Sequence, residues 1–195
     1  MGLFRHGAPG MSKPQFHAPL FSWVRFFRSR MILASLACFA AVGLAILFQK
    51  VDELVPCPLC IFQRIAFLSA GVVLLAVAAW NPRPFMHRVF GVLFGLVPLL
   101  VGAGIAGRHV WMTHLPPDKV PSCGPSLDYL LESKPLLGVV RTVLSGSGEC
   151  AKVDWTLLGL SMPAWSLVLF MALFVWCLIS LFLSRPAAAP DFSGK

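Results

Sequence analysis

Residues 57–80 read CPLCIFQRIAFLSAGVVLLAVAAW. Beyond Arg64 the stretch is apolar as far as Trp80. That is long enough to cross a bilayer, because about 20 residues rising about 1.5 Å each cover the hydrocarbon core. The same pattern recurs. Met31–Phe48 is uninterrupted, Val89–Ile105 is rich in Gly and carries Pro98, and Ala164–Leu183 follows Pro163, a residue suited to the first turn of a helix. Hydrocarbon offers no partner to backbone N–H and C=O groups, so the spans are helices or a closed barrel. Continuous apolarity excludes the alternating pattern of a barrel strand. The composition agrees: 57% of residues are hydrophobic, 12% are charged, and mean hydropathy is +0.79. We therefore expect an all-α membrane protein, a four-transmembrane-helix bundle forming one domain over residues 31–183, with spans at 31–48, 61–80, 89–105 and 164–183. Residues 1–30 are an N-terminal extension and 184–195 a tail.

Charge orients the bundle. The two ends and the Asn81–Arg88 turn carry nine Lys and Arg residues against Asp191 alone, whereas the other side carries seven basic and seven acidic residues. The whole formal charge of +8 thus lies on one side. The positive-inside rule makes that side cytoplasmic and exposes loops 49–60 and 106–163 outside. Basic residues that flank spans are topological, which removes nucleic-acid binding as the explanation of the charge. The first span is too long for a signal-peptide core and has no small-residue cleavage site before Gln49, so it is expected to remain as a helix. Phe16, Phe21, Trp23, Phe26 and Phe27 among basic residues make the extension an interfacial approach segment.

Two of the six cysteines, Cys38 and Cys177, fall inside spans, where a thiol acts as a small hydrophobe. Cys57, Cys60, Cys123 and Cys150 all fall in the outer loops, where an even number of cysteines implies disulfides. A zinc site would want two closely spaced pairs, and Cys123 and Cys150 are far apart. A c-type haem needs CxxCH, but Ile61 follows Cys60. A CxxC disulfide closes too small a ring to constrain much, whereas CxxC is the usual reactive dithiol. Pro58 favours a helix start, which places Cys60 near an N-terminus where the helix dipole and unpaired amides stabilise a thiolate. Arg64 lies one turn deeper on the same face. A cation just inside an apolar helix is costly and points to function. In the long loop, Leu127, Leu130, Leu131, Leu136, Leu137, Val140 and Leu144 form an approximately helical stripe interrupted at Pro135. That stripe predicts a short amphipathic helix, either lying on the membrane or packed on the bundle.

CPLC-IFQR after the first span, a second cysteine pair in a long outer loop, Ser145-Gly146-Ser147-Gly148-Glu149-Cys150, Asp154-Trp155 and Leu158–Trp165 together resemble the DsbB family. The resemblance covers residues 31–183. It implies a bacterial inner-membrane protein-disulfide:quinone oxidoreductase, with periplasmic redox loops and cytoplasmic termini, that reoxidises a periplasmic DsbA-like thiol oxidase. By this resemblance Cys57 and Cys60 are the quinone-proximal pair, and Cys123 and Cys150 the pair that meets DsbA. Arg64 would stabilise the quinone and the thiolate, and His109 would approach the quinone from the outer end of the third span. Ubiquinone is the first choice of cofactor and menaquinone the second. DsbA is itself a strong oxidant, at about −120 mV, so a dithiol relay needs an external acceptor to reoxidise it. Vitamin K epoxide reductases also pair CxxC with a quinone, but near their last helices. The alternative from a different class is a non-enzymatic four-span scaffold whose outer loops are stapled by structural disulfides.

Overall fold

The computed structural model describes residues 27–51, 53, 56–119, 127–145, 148–151 and 155–184. Cys123, the extension before Phe27 and the tail after Ser184 lie outside the described residues. Three long helices come first: α1 (Phe27–Val51), α2 (Pro58–Trp80) and α3 (Phe85–Thr113). The outer loop folds into α4 (Leu127–Ser133), α5 (Leu136–Ser145) and a 3₁₀ turn (Gly148–Ala151). A hairpin of β1 (Thr156–Leu157) and β2 (Leu160–Ser161) leads into α6 (Met162–Phe182). α1, α2, α3 and α6 are each long and apolar enough to cross a membrane.

All four spans exceed their apolar runs at one end or both. α1 takes in Arg28, Ser29 and Arg30 at its start and Gln49 and Lys50 at its end, while α3 extends to His87 and Arg88 on one side and to Arg108 and His109 on the other. Hydropathy locates only the hydrocarbon core. The helix continues into the headgroup layer, where Arg, Lys and Gln are good helix formers. Residues 106–113, expected in the outer loop, are therefore helical, and this makes His109 part of a wall rather than of a loop. α2 ends at Asn81, whose left-handed conformation (φ 46°) lets its N–H donate to Val77 O at 3.0 Å.

The helices pack α1 on α2, α2 on α3 and α3 on α6, and α6 closes the ring on α1. Met31, Ala34 and Cys38, Ala70 and Leu74, Val92 and Leu99, and Phe170 and Cys177 form the shared core. Ser35 Oγ donates to Gly71 O at 2.8 Å between α1 and α2. The outward faces remain apolar, with Leu36, Val72, Phe94 and Val97 all exposed, as expected of surfaces that meet lipid.

α3 and α6 approach closely because Gly102 has no side chain. A Cβ there would overlap the ring of fully buried Phe170, which is stacked on Phe67 at 3.8 Å and cannot retreat. Gly102→Ala is expected to cost about 1–3 kcal/mol of overpacking, read as a lower thermal midpoint in detergent. Gly104→Ala, whose Cβ would meet nothing within 4 Å, serves as the control and is expected to stay within about 0.5 kcal/mol of the parent. Equal midpoints for the two variants would refute this account of the helix contact.

The apolar stripe expected along residues 127–144, interrupted at Pro135, resolves into two helices. Pro135 separates α4 from α5 and resets the helical phase. Leu130, Val139 and Val143 turn inward onto Leu59, Ile105 and Met112, while Leu131, Leu136 and Leu137 face outward. Both sides of α5 are thus apolar, one against the bundle and one away from it. Arg108 holds the C-terminal end of α5 through Nε to Leu144 O at 3.4 Å and Nη2 to Ser145 O at 3.1 Å.

Candidate active site

Cys57 is the N-cap of α2 and Pro58 its first residue. The cap is extended (φ −67°, ψ 159°), and Cys57 Sγ accepts from the backbone N–H of Cys60 at 3.4 Å, as a serine oxygen would. The same turn brings the two thiols together, with Cys57 Sγ donating to Cys60 Sγ at 3.1 Å. Cys60 is therefore in the first turn of α2, beside a capped helix N-terminus, as the Pro58 signal predicts.

His109 of α3 reaches across to both sulfurs. It is 3% exposed, with Nε2 3.8 Å from Cys57 Sγ and Nδ1 4.0 Å from Cys60 Sγ. Gln63, one turn beyond Cys60 and also 3% exposed, places its amide nitrogen 3.1 Å from His109 Nδ1. With that amide donating, Nδ1 is the acceptor and the ring proton resides on Nε2, facing Cys57. Sequence reasoning passed over Gln63. The available signal was a carboxamide in an apolar helix at i+3 from a cysteine, since a buried amide needs a partner.

Cys150 arrives from the other direction. Its 3₁₀ turn docks on α3, and Cys150 is 1% exposed among Leu59, Ile105, Met112, Leu130, Val139 and Val143. The sulfurs of Cys57 and Cys150 and a His109 ring nitrogen all lie within 4.8 Å of one another. Three such groups could contribute to a thiophilic metal site. Cys60 Sγ, however, is closer to Cys57 Sγ than the roughly 3.7 Å that separates tetrahedral zinc ligands about 2.3 Å from the ion. Thiol–disulfide exchange needs this kind of arrangement, a sulfur from each pair within reach of the other beside a proton carrier.

Arg64 lies on the opposite side of the dithiol. Its Nη1 donates to Gln49 Oε1 at 2.6 Å and its Nη2 to Ala45 O at 3.2 Å, so the fork is held by the last turns of α1. Between α1, α2, the hairpin and α6 runs an apolar groove of about 500 Å³. Cys60, Gln63, Arg64 and Ser166 are its polar side chains, and its walls include Phe48, Trp155 and Trp165. The hairpin makes the fourth wall. Leu158 and Gly159 both have positive φ (53° and 80°), which is the two-residue reversal that pairs Leu157 with Leu160. Trp165 Nε1 donates to Leu157 O at 3.0 Å, and Trp155 packs on Phe48 with ring centroids 5.0 Å apart. His109 does not line the groove. It faces Cys150, so the dithiol separates a histidine-and-cysteine side from a groove side.

Fold and site together define a polytopic helical membrane protein with a cluster of three cysteines and a histidine at one end of its bundle. The family model for disulfide bond formation protein DsbB matches residues 27–180. The chain belongs to the DsbB family, whose four-helix membrane architecture it shares and whose members serve disulfide bond formation. It is 47% identical over 154 residues to disulfide bond formation protein B of Acinetobacter baumannii, an alignment covering 79% of this chain and 90% of that one. The corresponding protein of Methylococcus capsulatus is 47% identical over 152 residues, covering 78% and 92%. That of Xanthomonas euvesicatoria pv. vesicatoria is 46% identical over 160 residues, covering 82% and 92%.

Proposed function

We propose that this protein is a protein-disulfide:quinone oxidoreductase of the bacterial inner membrane, with its dithiol side periplasmic and its arginine-rich side cytoplasmic. Its electron donor is a reduced DsbA-like thiol oxidase. The observation that carries this reading is the position of Cys60, which touches Cys57 on one side and lines the apolar groove on the other.

The relay starts from two disulfides, Cys57–Cys60 and Cys123–Cys150. A donor thiolate attacks Cys123, forming a mixed disulfide and expelling Cys150 as a thiolate. Cys150 then attacks Cys57, forming a Cys57–Cys150 bond and expelling Cys60 as a thiolate. The donor's second thiol displaces Cys123, which recloses on Cys150 and releases Cys57. Cys57 and Cys60 reform their disulfide as two electrons leave through the groove side. His109 Nε2 is positioned to carry a proton to or from Cys57 during these exchanges. Arg64, held by Gln49 and Ala45, keeps its cationic fork beside Cys60 and offsets negative charge on the groove side.

The groove fits a quinone in its chemistry. Apolar and aromatic walls suit a flat ring with an isoprenoid tail, while Arg64 and Cys60 supply a charge and a thiol against which the ring can sit. Bound there, a quinone supplies a two-electron, two-proton acceptor, with ubiquinone the first candidate and menaquinone the second. The test combines purified protein in detergent, a reduced DsbA-like donor and a short-chain ubiquinone. Loss of quinone absorbance in proportion to oxidised donor is expected. Donor oxidation that proceeds without quinone loss under anaerobic conditions would contradict the assignment.

A further inference from the structure

The opposite end of the bundle carries a second site, unrelated to the dithiol. The start of α1, the turn between α2 and α3, and the end of α6 enclose a pocket of about 450 Å³. Arg28, Arg30, Arg83 and Arg88 all line it, with Asn81 and Ser184, and no Asp or Glu lines it among the described residues. Arg88 is already engaged: its Nε donates to Pro82 O at 2.7 Å and its Nη1 to Ser184 O at 3.1 Å, while its guanidinium lies over the Phe27 ring. Arg30 is 5% exposed. Arg28 and Arg83 are exposed at the rim, and neither hydrogen bonds to another described residue.

Marking membrane topology requires only that arginines stand on the correct side. It does not require four of them, from two helices and a turn, to converge on one concavity with one nine-tenths buried. Like charges brought together in a partly dry pocket repel and call for an anion. Arginine forks match phosphate oxygens, which can accept two parallel hydrogen bonds from each. Just below the pocket, on the lipid side, Trp80, Met86, Phe90 and Phe182 are each more than half exposed. They provide an apolar and aromatic belt along which acyl chains can run while a headgroup sits among the arginines.

We infer that this pocket binds the phosphate of an anionic phospholipid from the adjoining leaflet, gripped by Arg28 and Arg83 above a floor of Arg30 and Arg88. Free inorganic phosphate shares the chemistry but not the acyl chains. The test uses the full-length protein in mild detergent, offered phosphatidylglycerol or phosphatidylcholine and examined by native mass spectrometry. The parent is expected to retain phosphatidylglycerol preferentially. The double variant R28Q/R83Q, altered at two exposed positions, is expected to retain it about tenfold less, the scale of one lost hydrogen bond to a charged group. Lys134→Gln, at the other end of the bundle, is expected to match the parent. Equal retention by parent and double variant would overturn the inference, as would displacement of the lipid by millimolar inorganic phosphate.

Discussion

Cys60→Ser is expected to lower donor-dependent quinone reduction by on the order of 10³-fold or more, the scale on which enzymes lose rate when a reacting nucleophile is removed. Serine keeps the size of the side chain and its place in the first turn of α2, but its oxygen cannot form the disulfide with Cys57. Cys57 would then have no leaving thiol for Cys150 to expel, and no thiol would line the groove. The outer exchange should survive, because Cys123 and Cys150 are untouched. A mixed disulfide between the donor and Cys123 is therefore expected on non-reducing gels while quinone absorbance stays constant. This split between trapping and turnover distinguishes a broken relay from a misfolded protein. Turnover comparable with the parent would sink the relay, since it would mean that electrons reach the acceptor without Cys60.

Arg64→Gln should have the next largest effect, a fall of about 10²-fold in kcat/KM for quinone, as when one preorganised electrostatic donor is lost from an active site. The residue lies in an apolar wall, where a cation opposite developing negative charge acts through little screening. It also ties α2 to α1 through Gln49 and Ala45, so a purely structural role must be separated from an electrostatic one. Arg64→Lys retains the charge but not the fork, and it cannot reproduce both anchoring bonds with the same geometry. If charge dominates, the lysine variant recovers most of the rate while its thermal midpoint falls with that of the glutamine variant. If anchoring dominates, rate and midpoint fall together in both. Unchanged kinetics in Arg64→Gln would remove the residue from the proposed mechanism.

Much of the site could be read from short-range chemistry. Pro58 after Cys57 marked a helix start, and the N-cap geometry at Cys57 is what that signal implies. The i+4 spacing put Arg64 one turn below Cys60. The distant partners were harder. His109 is separated from the dithiol by the whole of α2 and most of α3, and hydropathy ended that span before reaching it. Apolar periodicity is blind to polar residues that continue a helix into the interface. Gln63 was overlooked because its importance lies in its partner, the ring of His109. The outer-loop stripe, broken at Pro135, pointed to a short amphipathic helix but not to the residues that pack, because Val139 and Val143, outside the stripe, are the ones that turn toward Leu59 and Cys150.

By itself the sequence determined the solvent, the number of spans and the end of the bundle at which the basic residues gather, and it pointed to CPLC as the candidate reactive dithiol. These depend on local properties: how long an apolar run is, which residues flank it, and what one helical turn does to a thiol. Only the tertiary structure decided that the dithiol has two sides. His109 and Cys150 meet one side because α3 overruns its apolar core and the outer loop buries a small hydrophobic cluster against it. The groove borders the other because α6 and its hairpin close against α1 and α2. Each surface is assembled from segments far apart in the chain, and their packing free energy depends on shape complementarity that no single segment encodes.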